Sequence, residues 1–314
     1  LIATGLFSSL LVLTFLRDLL LLAAGAIAWM WPDALSRSAV AAATAAVVPV
    51  TAILVTLIGL WNARRTAAVV TVDIPIADLP PALHGFTIAQ ISDIHVGTTI
   101  RGPYVRNIVD AVNRLDADLV AVTGDLVDGS VAELGAHVAA LEGLSSRHGT
   151  FFVTGNHEYY SGANAWIREL RRLGLRVLLN EHLVLQHGAG AVVIAGVTDT
   201  SAHHFDPAQR SSPERAIAGA PDHASVRVLL AHQPRSAAAA ADAGFHLQLS
   251  GHTHGGQFWP WNHFVKLQQP FTAGLDRLAG MWVYTSRGTG YWGPPKRFGA
   301  PSEITHLRLV PAGA

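Results

Sequence analysis

The sequence of 314 residues contains no cysteine. This excludes disulfide bonds, thiolate metal sites and cysteine nucleophiles, so any metal ion must be held by nitrogen and oxygen ligands. Charged residues are also scarce, at 14% of the chain, against about 25% in an average soluble protein. The 22 basic and 22 acidic residues balance. A neutral chain argues against a large nucleic-acid surface, because such a surface needs a basic patch.

The first 61 residues have almost no charge and contain only Arg17, Asp18, Asp33 and Arg37 as charged side chains. Two apolar runs, about 3–31 and 39–61, are each long enough to cross a hydrocarbon core of about 30 Å. The first run is too long for the apolar core of a signal peptide. We therefore predict a membrane region over residues 1–65 with two transmembrane helices, followed by a separate domain over residues 66–314.

The orientation of the membrane region is indicated by two residues, Arg64 and Arg65, which directly follow the second apolar run. By the positive-inside tendency they favour a cytoplasmic position for the domain that follows. The adjacent pair Arg17 and Asp18 is expected to face another helix, because ionisable residues inside a membrane seldom face lipid. The chain starts at Leu1 rather than Met, so we expect an upstream segment that could carry further helices.

From residue 66, short apolar runs alternate with amphipathic helical patterns. Strands are predicted at 86–91, 119–122, 151–153, 192–196, 226–230, 246–249, 282–284 and 304–309. Helices are predicted at 104–115, 131–144 and 165–173, and an Ala-, Ser- and Pro-rich surface excursion at 208–225. Strands that alternate with helices predict a layered α/β domain.

Five polar clusters directly follow five of these strands: ISDIHVG, TGDLVDG, TGNHE, AHQP and SGHTHGG. In α/β sheets, ligand groups gather on loops past the carboxyl ends of the strands, so the clusters are expected at one rim. All 16 histidines lie after residue 83. Carboxylate, carboxamide and imidazole groups suit Mn²⁺, Fe or Zn²⁺. The sequence therefore predicts a metal site at this rim.

The spacing within the clusters suggests the directions in which the candidate ligand side chains point. Asp93 and His95 are separated by one residue, as are His252 and His254. On an extended segment this spacing points both side chains to one side. A carboxylate such as Asp125 can bridge two cations about 3.5–4 Å apart.

The five blocks resemble the calcineurin-like metallophosphoesterase superfamily, whose pattern is DxH, GD, GNHE or GNHD, a lone His and GHxH. All five occur in this order within about residues 86–310. The resemblance implies a layered α/β/β/α sandwich, here preceded by N-terminal transmembrane helices, and a metal-dependent phosphoesterase. It implies seven metal ligands: Asp93, His95, Asp125, Asn156, His232, His252 and His254.

The resemblance divides these ligands between two divalent ions, expected to be Mn²⁺, with Fe or Zn²⁺ as alternatives. One ion takes Asp93, His95 and His254; the other takes Asn156, His232 and His252; Asp125 bridges them. His157 is implied to act without binding metal, by stabilising charge on the phosphoryl group or protonating the leaving oxygen. A metal-bridging hydroxide is implied to attack phosphorus. Asp128 and Glu158 are expected to support ligands or turns rather than bind metal.

A narrower similarity lies in GHTHGGQFWPW and YTSRGTGYWGPPKRFGAPSEITHLRL, which look like the YkuE-like branch of bacterial membrane-associated or exported phosphoesterases. Relatives of that branch include enzymes that hydrolyse the pyrophosphate of UDP-diacylglucosamine. The resemblance implies a multi-pass protein of a bacterial cell membrane that acts on a phosphorylated small molecule or lipid. We expect neither a nucleic-acid nor a protein partner.

Substrate contacts are expected from Arg287, Lys296 and Arg297, although Arg287 is equally compatible with a structural ion pair. Trp259 and Trp261 are predicted to pack under the rim, to line an acyl-chain groove, or to touch the bilayer; the sequence does not decide among these.

Two other functions fit the same blocks. A nuclease is one, because DNA-repair exonucleases share the superfamily core, although neutral charge and a membrane tether count against it. A non-catalytic metal-binding scaffold is the other, although such members typically lack part of the ligand set, which is intact here.

Overall fold

The structure is a computed structural model that describes residues 1–32, 36–221 and 224–313. Residues 222–223 of the predicted excursion, and residue 314 at the predicted end of the second domain, lie outside the described residues. Two helices open the chain, α1 (Ile2–Met30) and α2 (Arg37–Arg64). They cover the two predicted apolar runs, and both are long and apolar enough to cross a membrane.

Helices α1 and α2 form an antiparallel pair, called the N-terminal hairpin below. Gly25 of α1 lies beside Arg37 at the start of α2. Near the middle, Nε of Arg17 donates a hydrogen bond to Oγ1 of Thr44 at 3.0 Å, and Nη2 donates to the carbonyl oxygen of Ala41 at 3.3 Å. Arg17 therefore faces the other helix as predicted, whereas the side chain of Asp18, expected to do the same, is 61% exposed.

Two six-stranded sheets follow the hairpin. The first contains β1 (Ala68–Ile76), β12 (Glu303–Pro311), β2 (Thr87–Ile91), β3 (Leu119–Val122), β4 (Thr150–Phe152) and β5 (Arg176–Val177), in that spatial order. The second contains β10 (Gly274–Leu278), β11 (Met281–Thr285), β9 (Leu247–Ser250), β8 (Val226–Leu230), β7 (Gly190–Gly196) and β6 (Glu181–His187).

Within the described part of the chain, six further α-helices connect these strands. They are α3 (Gly102–Asn113), α4 (Val131–Val138), α5 (Asn156–Tyr160), α6 (Ala163–Arg172), α7 (Pro213–Ile217) and α8 (Ala237–Asp242). The second predicted helix, at 131–144, is divided in the structure: α4 ends at Val138, and a 3₁₀-helix follows at Ala139–Gly143. The predicted excursion contains α7, whose Ala216 is fully buried.

Three hydrophobic clusters separate four layers. One packs α3, α4 and α6 against the outer face of the first sheet. A second fills the space between the sheets, and a third packs α7 and α8 against the outer face of the second sheet. This confirms the predicted α/β/β/α sandwich preceded by two apolar helices.

The strand directions bring the five polar clusters together. Strands β2, β3 and β4 run parallel and adjacent in the first sheet, and β8 and β9 do so in the second. The carboxyl ends of each group therefore lie at one edge. The sheets are joined at this edge by the buried amide of Gln90, whose Nε2 donates to the carbonyl oxygen of Ser250 at 2.9 Å.

Candidate metal centre

The seven predicted ligands converge between the carboxyl ends of the two sheets. Six of them are buried, and His252 is only partly exposed. Among the residues that the structure describes, three sets of side chains have possible ligand atoms that all lie within 4.8 Å of one another. Two of these sets match the predicted division between two ions, and we call them the first group (Asp93, His95 and His254) and the second group (Asp125, His232 and His252).

In the first group, the two imidazoles point their Nε2 atoms at one another at 3.1 Å. Nε2 of His254 also lies 3.5 Å from Oδ1 of Asp93. Two nitrogens and a carboxylate oxygen facing one point form a donor set that suits a divalent cation of intermediate softness.

In the second group, Nε2 of His232 lies 3.2 Å from Nδ1 of His252 and 3.1 Å from Oδ2 of Asp125. Asn156 lies at the start of α5 on the same side, and its buried Oδ1 has no hydrogen-bond partner in the structure. A buried carbonyl oxygen without a partner is costly, and a metal ion bound there would satisfy it. The donors present therefore fit a divalent cation.

Asp125 lies between the two groups. Its Oδ1 accepts a hydrogen bond from the backbone N–H of His157 at 2.9 Å, which fixes the carboxylate. Its Oδ2 faces His232 and lies 3.9 Å from Nε2 of His95. One oxygen atom is therefore directed toward both groups, as a bridging ligand requires.

The backbone at the ligands is unusual. Five of the seven ligands have a positive φ: Asp93 (53°), His95 (55°), Asp125 (50°), His252 (69°) and His254 (51°). The prediction that the Asp-x-His and His-x-His segments are extended is therefore wrong. The left-handed conformation is costly for residues other than glycine, and such residues concentrate at functional sites, where surrounding contacts hold them.

Two glycines allow the ligand loops to approach closely. A Cβ atom on Gly155 would overlap the carboxylate of Asp125, and one on Gly251 would overlap Ser92 and Asp93. Gly251 also precedes the N–H of His252, which donates to both carboxylate oxygens of Asp93 at 3.0 Å. The loops from the two sheets are thus in direct contact, which leaves no room for a side chain.

Outer hydrogen bonds orient the imidazoles. Oδ1 of Asp128 accepts from Nδ1 of His95 at 2.9 Å and from Nδ1 of His157 at 2.7 Å. The carbonyl oxygen of Thr123 accepts from Nδ1 of His232 at 2.8 Å. In each case the other ring nitrogen is left to face the centre, as is usual for metal-binding histidines.

Glu158 supports the loops without reaching the centre. Its carboxylate accepts hydrogen bonds from the backbone N–H groups of Asp125 (3.0 Å), Leu126 (2.8 Å) and Gly155 (2.6 Å). It therefore ties the GD loop to the GNHE loop. Asp128 and Glu158 both occupy the supporting positions expected for them.

The charges and burial of the site shift the pKa values of the predicted ligands in both directions. Burial raises the pKa of Asp93. Burial lowers the pKa of His232, but the charges of Asp125 and Asp93 outweigh it and hold that pKa well above its usual value. Burial raises the pKa of Asp125, but the charges of His232, His95 and His157 outweigh it and hold that pKa well below its usual value. Burial and the charge of His232 lower the pKa of His252 to about 3. Burial and the nearby Arg297 also lower the pKa of His254. An ionised carboxylate and unprotonated imidazoles are the forms that bind metal.

Comparison with known proteins agrees with this geometry. The family profile described as calcineurin-like phosphoesterase matches residues 86–256, which carry every predicted metal ligand. The chain belongs to this family. It is a metal-dependent phosphoesterase, and the resemblance found in the sequence blocks is confirmed.

Named relatives of this phosphoesterase come from animals and bacteria. A bovine protein named "Transmembrane protein with metallophosphoesterase domain" is 40% identical over 84% of this chain and 63% of its own length. An uncharacterized metallophosphoesterase of Aquifex aeolicus is 33% identical over 72% of this chain and 85% of its own length. The uncharacterized metallophosphoesterase YkuE of Bacillus subtilis is 27% identical over 74% of this chain and 81% of its own length.

The chain spans 63% of the bovine relative and 60% of a zebrafish relative of the same name. The activity of a whole relative therefore does not transfer directly. What transfers from the family is metal-dependent phosphoesterase chemistry.

The three basic residues expected to contact substrate have other partners in this phosphoesterase. Arg287 forms an ion pair with the buried carboxylate of Glu303. This is the structural ion pair that the sequence left open as the alternative to substrate contact. Lys296 and Arg297 are 2% and 0% exposed, and neither lines the cavity above the metal ligands. Their basic side chains are directed to α1 and to His254 instead.

The walls of the cavity include residues that the sequence reading did not select. Tyr160, Phe258, Phe264 and Trp292 line it together with Trp261. The signal for two of them was the aromatic run FWPWNHF, directly after the GHTHGG block. Because this run has neither a helical nor a strand periodicity, the directions of its side chains could not be predicted from the sequence.

Asp128 supplies a testable consequence within the family chemistry. Asp128→Asn replaces the oxygen that holds both His95 and His157, and an amide cannot accept two N–H bonds with the strength of a carboxylate. We expect metal affinity or turnover to fall about 10–100-fold, as for other residues that orient metal-binding histidines. Metal titration and steady-state kinetics would measure this. Unchanged values for both would contradict the supporting role of Asp128.

Proposed function

We propose that the chain is a membrane-anchored phosphohydrolase with two divalent ions, Mn²⁺ in the first instance, that cleaves a phosphoester or pyrophosphate of a lipid-linked substrate. One observation carries this proposal. The cavity above the ligands has a polar floor and an apolar wall, and that wall contacts the N-terminal hairpin.

The cavity has a volume of about 630 Å³. Its floor contains His95, Asp125, Asn156, His157, His252 and His254. Its wall contains Phe258, Trp261, Phe264, Val265 and Trp292. A phosphate group above the floor and an apolar chain along the wall would each meet chemistry that suits it.

The apolar wall continues to the surface beside α1. Nε1 of Trp261 donates a hydrogen bond to Oγ of Ser8 in α1 at 2.9 Å. Phe264 is 52% exposed and Leu267 is 81% exposed. Tryptophan and apolar side chains beside the end of a spanning helix are typical of a membrane interface. This supports the acyl-groove and bilayer alternatives for the tryptophans, and the name of the bovine relative supports membrane attachment.

In such a centre the metal ions and the protein side chains would have different roles in the reaction. Two bound divalent cations would stabilise charge on the phosphoryl oxygens and lower the pKa of a water molecule. The first and second groups would hold the ions, and Asp125 would hold them near each other. His157, held by Asp128, would direct its Nε2 toward the phosphoryl group, stabilise its charge or protonate the leaving oxygen.

The lipid part of this proposal is tested by Phe264→Ser. We expect hydrolysis of a diacylated nucleotide pyrophosphate such as UDP-diacylglucosamine, or of a lipid phosphate in mixed micelles, to fall about tenfold, because loss of an apolar contact of this size is worth about 1–3 kcal/mol. Hydrolysis of a soluble phosphodiester, which does not use the wall, should be unchanged.

Leu183→Ser is the matched control, because Leu183 is an exposed apolar residue of β6 (38% exposed) that does not line the cavity. It should leave both activities unchanged. Equal loss of both activities in Phe264→Ser, or no preference of the unaltered enzyme for acylated substrates, would overturn the lipid substrate. Hydrolysis of single-stranded DNA in place of all these substrates would favour the nuclease alternative.

A further inference from the structure

Two adjacent buried cations, Lys296 and Arg297, lie between the N-terminal hairpin and the metal centre. They are among the largest fully buried side chains of the described residues. Burying a cationic side chain is costly unless hydrogen bonds compensate for the lost water. The hydrogen-bond partners of Lys296 and Arg297 therefore show which parts of the protein position these side chains and which parts the side chains position.

Lys296 binds α1. Its Nζ donates to the carbonyl oxygen of Gly5 at 3.0 Å and forms a short hydrogen bond with Oγ of Ser9. The same Nζ lies 5.0 Å from the ring centre of Phe258, a residue of the cavity wall. The side chain thus joins the first helix of the hairpin to the edge of the active site.

Arg297 is held through its backbone by α2. Its N–H donates to the carbonyl oxygen of Gly59 at 2.9 Å, and its carbonyl oxygen accepts from Nδ2 of Asn62 at 3.2 Å. A Cβ atom on Gly59 would lie only 2.6 Å from Cγ of Lys296, so the glycine is needed for this approach. Both peptide groups of Arg297 are therefore fixed by the hairpin.

The guanidinium of Arg297 reaches the first metal group. Nη1 donates to the carbonyl oxygen of His254 at 2.8 Å, and Nη2 lies 3.0 Å from Nδ1 of the same residue. Nε donates to the carbonyl oxygen of Gly290 at 3.1 Å. The N–H of Gly290 in turn donates to the carbonyl oxygen of Asp93 at 3.1 Å. One side chain therefore joins the loops that carry Asp93 and His254.

We propose that Arg297 is a positioning residue through which the N-terminal hairpin holds the first metal site in its ligand geometry. This inference rests on the proposed centre of two ions. The hydrogen bonds recorded for Arg297 in the described chain reach no member of the second group. The hairpin is thus coupled to one of the two ions.

Gly59→Ala tests the coupling from the hairpin side, because it alters α2 and touches no ligand. We expect Mn²⁺ titration of the full chain in detergent to show one of two binding events weakened about 10–100-fold, as for loss of other groups that orient ligands. The other event should be unchanged. Arg297→Ala should weaken the same event.

The double variant Gly59→Ala/Arg297→Ala distinguishes a coupled pair from two independent defects. If the hairpin acts through Arg297, the double variant binds no more weakly than Arg297→Ala alone; independent effects would instead add. Gly25→Ala is the matched control, because a Cβ there would lie 3.8 Å from Arg37, an ordinary contact. It should bind both ions normally.

Three results would count against the inference. Normal binding of both ions by Gly59→Ala would overturn it, and so would additive losses in the double variant or equal weakening of both events. If Gly59→Ala does not fold, Asn62→Ala removes the bond to the Arg297 carbonyl and replaces it in the same test. Binding of fewer than two ions by the unaltered chain is a separate outcome, because it overturns the proposed centre itself.

Discussion

Asp125→Asn is expected to lower phosphohydrolase turnover by at least about 10³-fold, which corresponds to about 4 kcal/mol of transition-state stabilisation. The reason is the position of Oδ2, which faces His232 at 3.1 Å and His95 at 3.9 Å. Asparagine has nearly the same shape, but it removes the negative charge that, in the proposed centre, would hold two cations near each other. Its amide nitrogen cannot coordinate a metal ion.

The measurement is steady-state hydrolysis of a soluble phosphodiester together with the metal content of the purified variant. Asp73→Asn is the control, because Asp73 forms an exposed ion pair with Arg308 in the first sheet, and such pairs contribute little. It should retain full turnover. Turnover of Asp125→Asn within a few-fold of the unaltered enzyme would exclude a bridging role for Asp125.

His157→Ala is expected to lower turnover about 10²–10⁴-fold while both metal ions stay bound. Nδ1 of His157 lies 2.7 Å from Asp128, so its Nε2 is left to face the cavity, where it lies 3.9 Å from Oδ2 of Asp125. From this position the ring could act on a phosphoryl group bound by the proposed metal centre. Its removal should lower kcat more than it changes KM, because the interaction grows as charge develops.

Metal content decides between two roles for His157, because one of its ring nitrogens also lies within 4.8 Å of possible ligand atoms of His95 and Asp125. Loss of an ion in His157→Ala would make it a ligand and would contradict the catalytic role. His204→Ala is the control. His204 lies in a pair of adjacent histidines that belongs to none of the described metal-binding sets, and its removal should change neither activity nor metal content.

The fold was predictable wherever burial leaves a simple pattern. Strand β3 is a continuous apolar run, and strand β8 is apolar except for Arg227; the predicted bounds of both agree with the structure. Strand β1 was not predicted, because it lies at a sheet edge, contains Pro75 and has only two buried residues, Ile74 and Ile76. Strand β6 was missed for a similar reason, since only Leu185 of it is buried.

The convergence of the seven candidate ligands was predictable because each follows a strand in a short block, so local sequence and sheet topology decide its position. The left-handed backbone of Asp93 and His95 was not predictable, because it is imposed by contacts with loops from the other sheet. The environment of Lys296 and Arg297 depends on helix residues more than 230 positions away in the chain. From the sequence alone, a loop with two basic residues near a predicted phosphate site is compatible with substrate contact. Only the packing of the structure shows that these two side chains contact α1 and His254 instead.

The most direct test of the account is electron paramagnetic resonance of the Mn²⁺-loaded enzyme, because two ions bridged by one carboxylate oxygen interact magnetically and isolated ions do not. At two equivalents of Mn²⁺ we expect the signal of a coupled pair, and in Asp125→Asn the signal of isolated ions. A fully loaded, active enzyme that shows only isolated Mn²⁺ would contradict the arrangement of the seven ligands around a shared bridge.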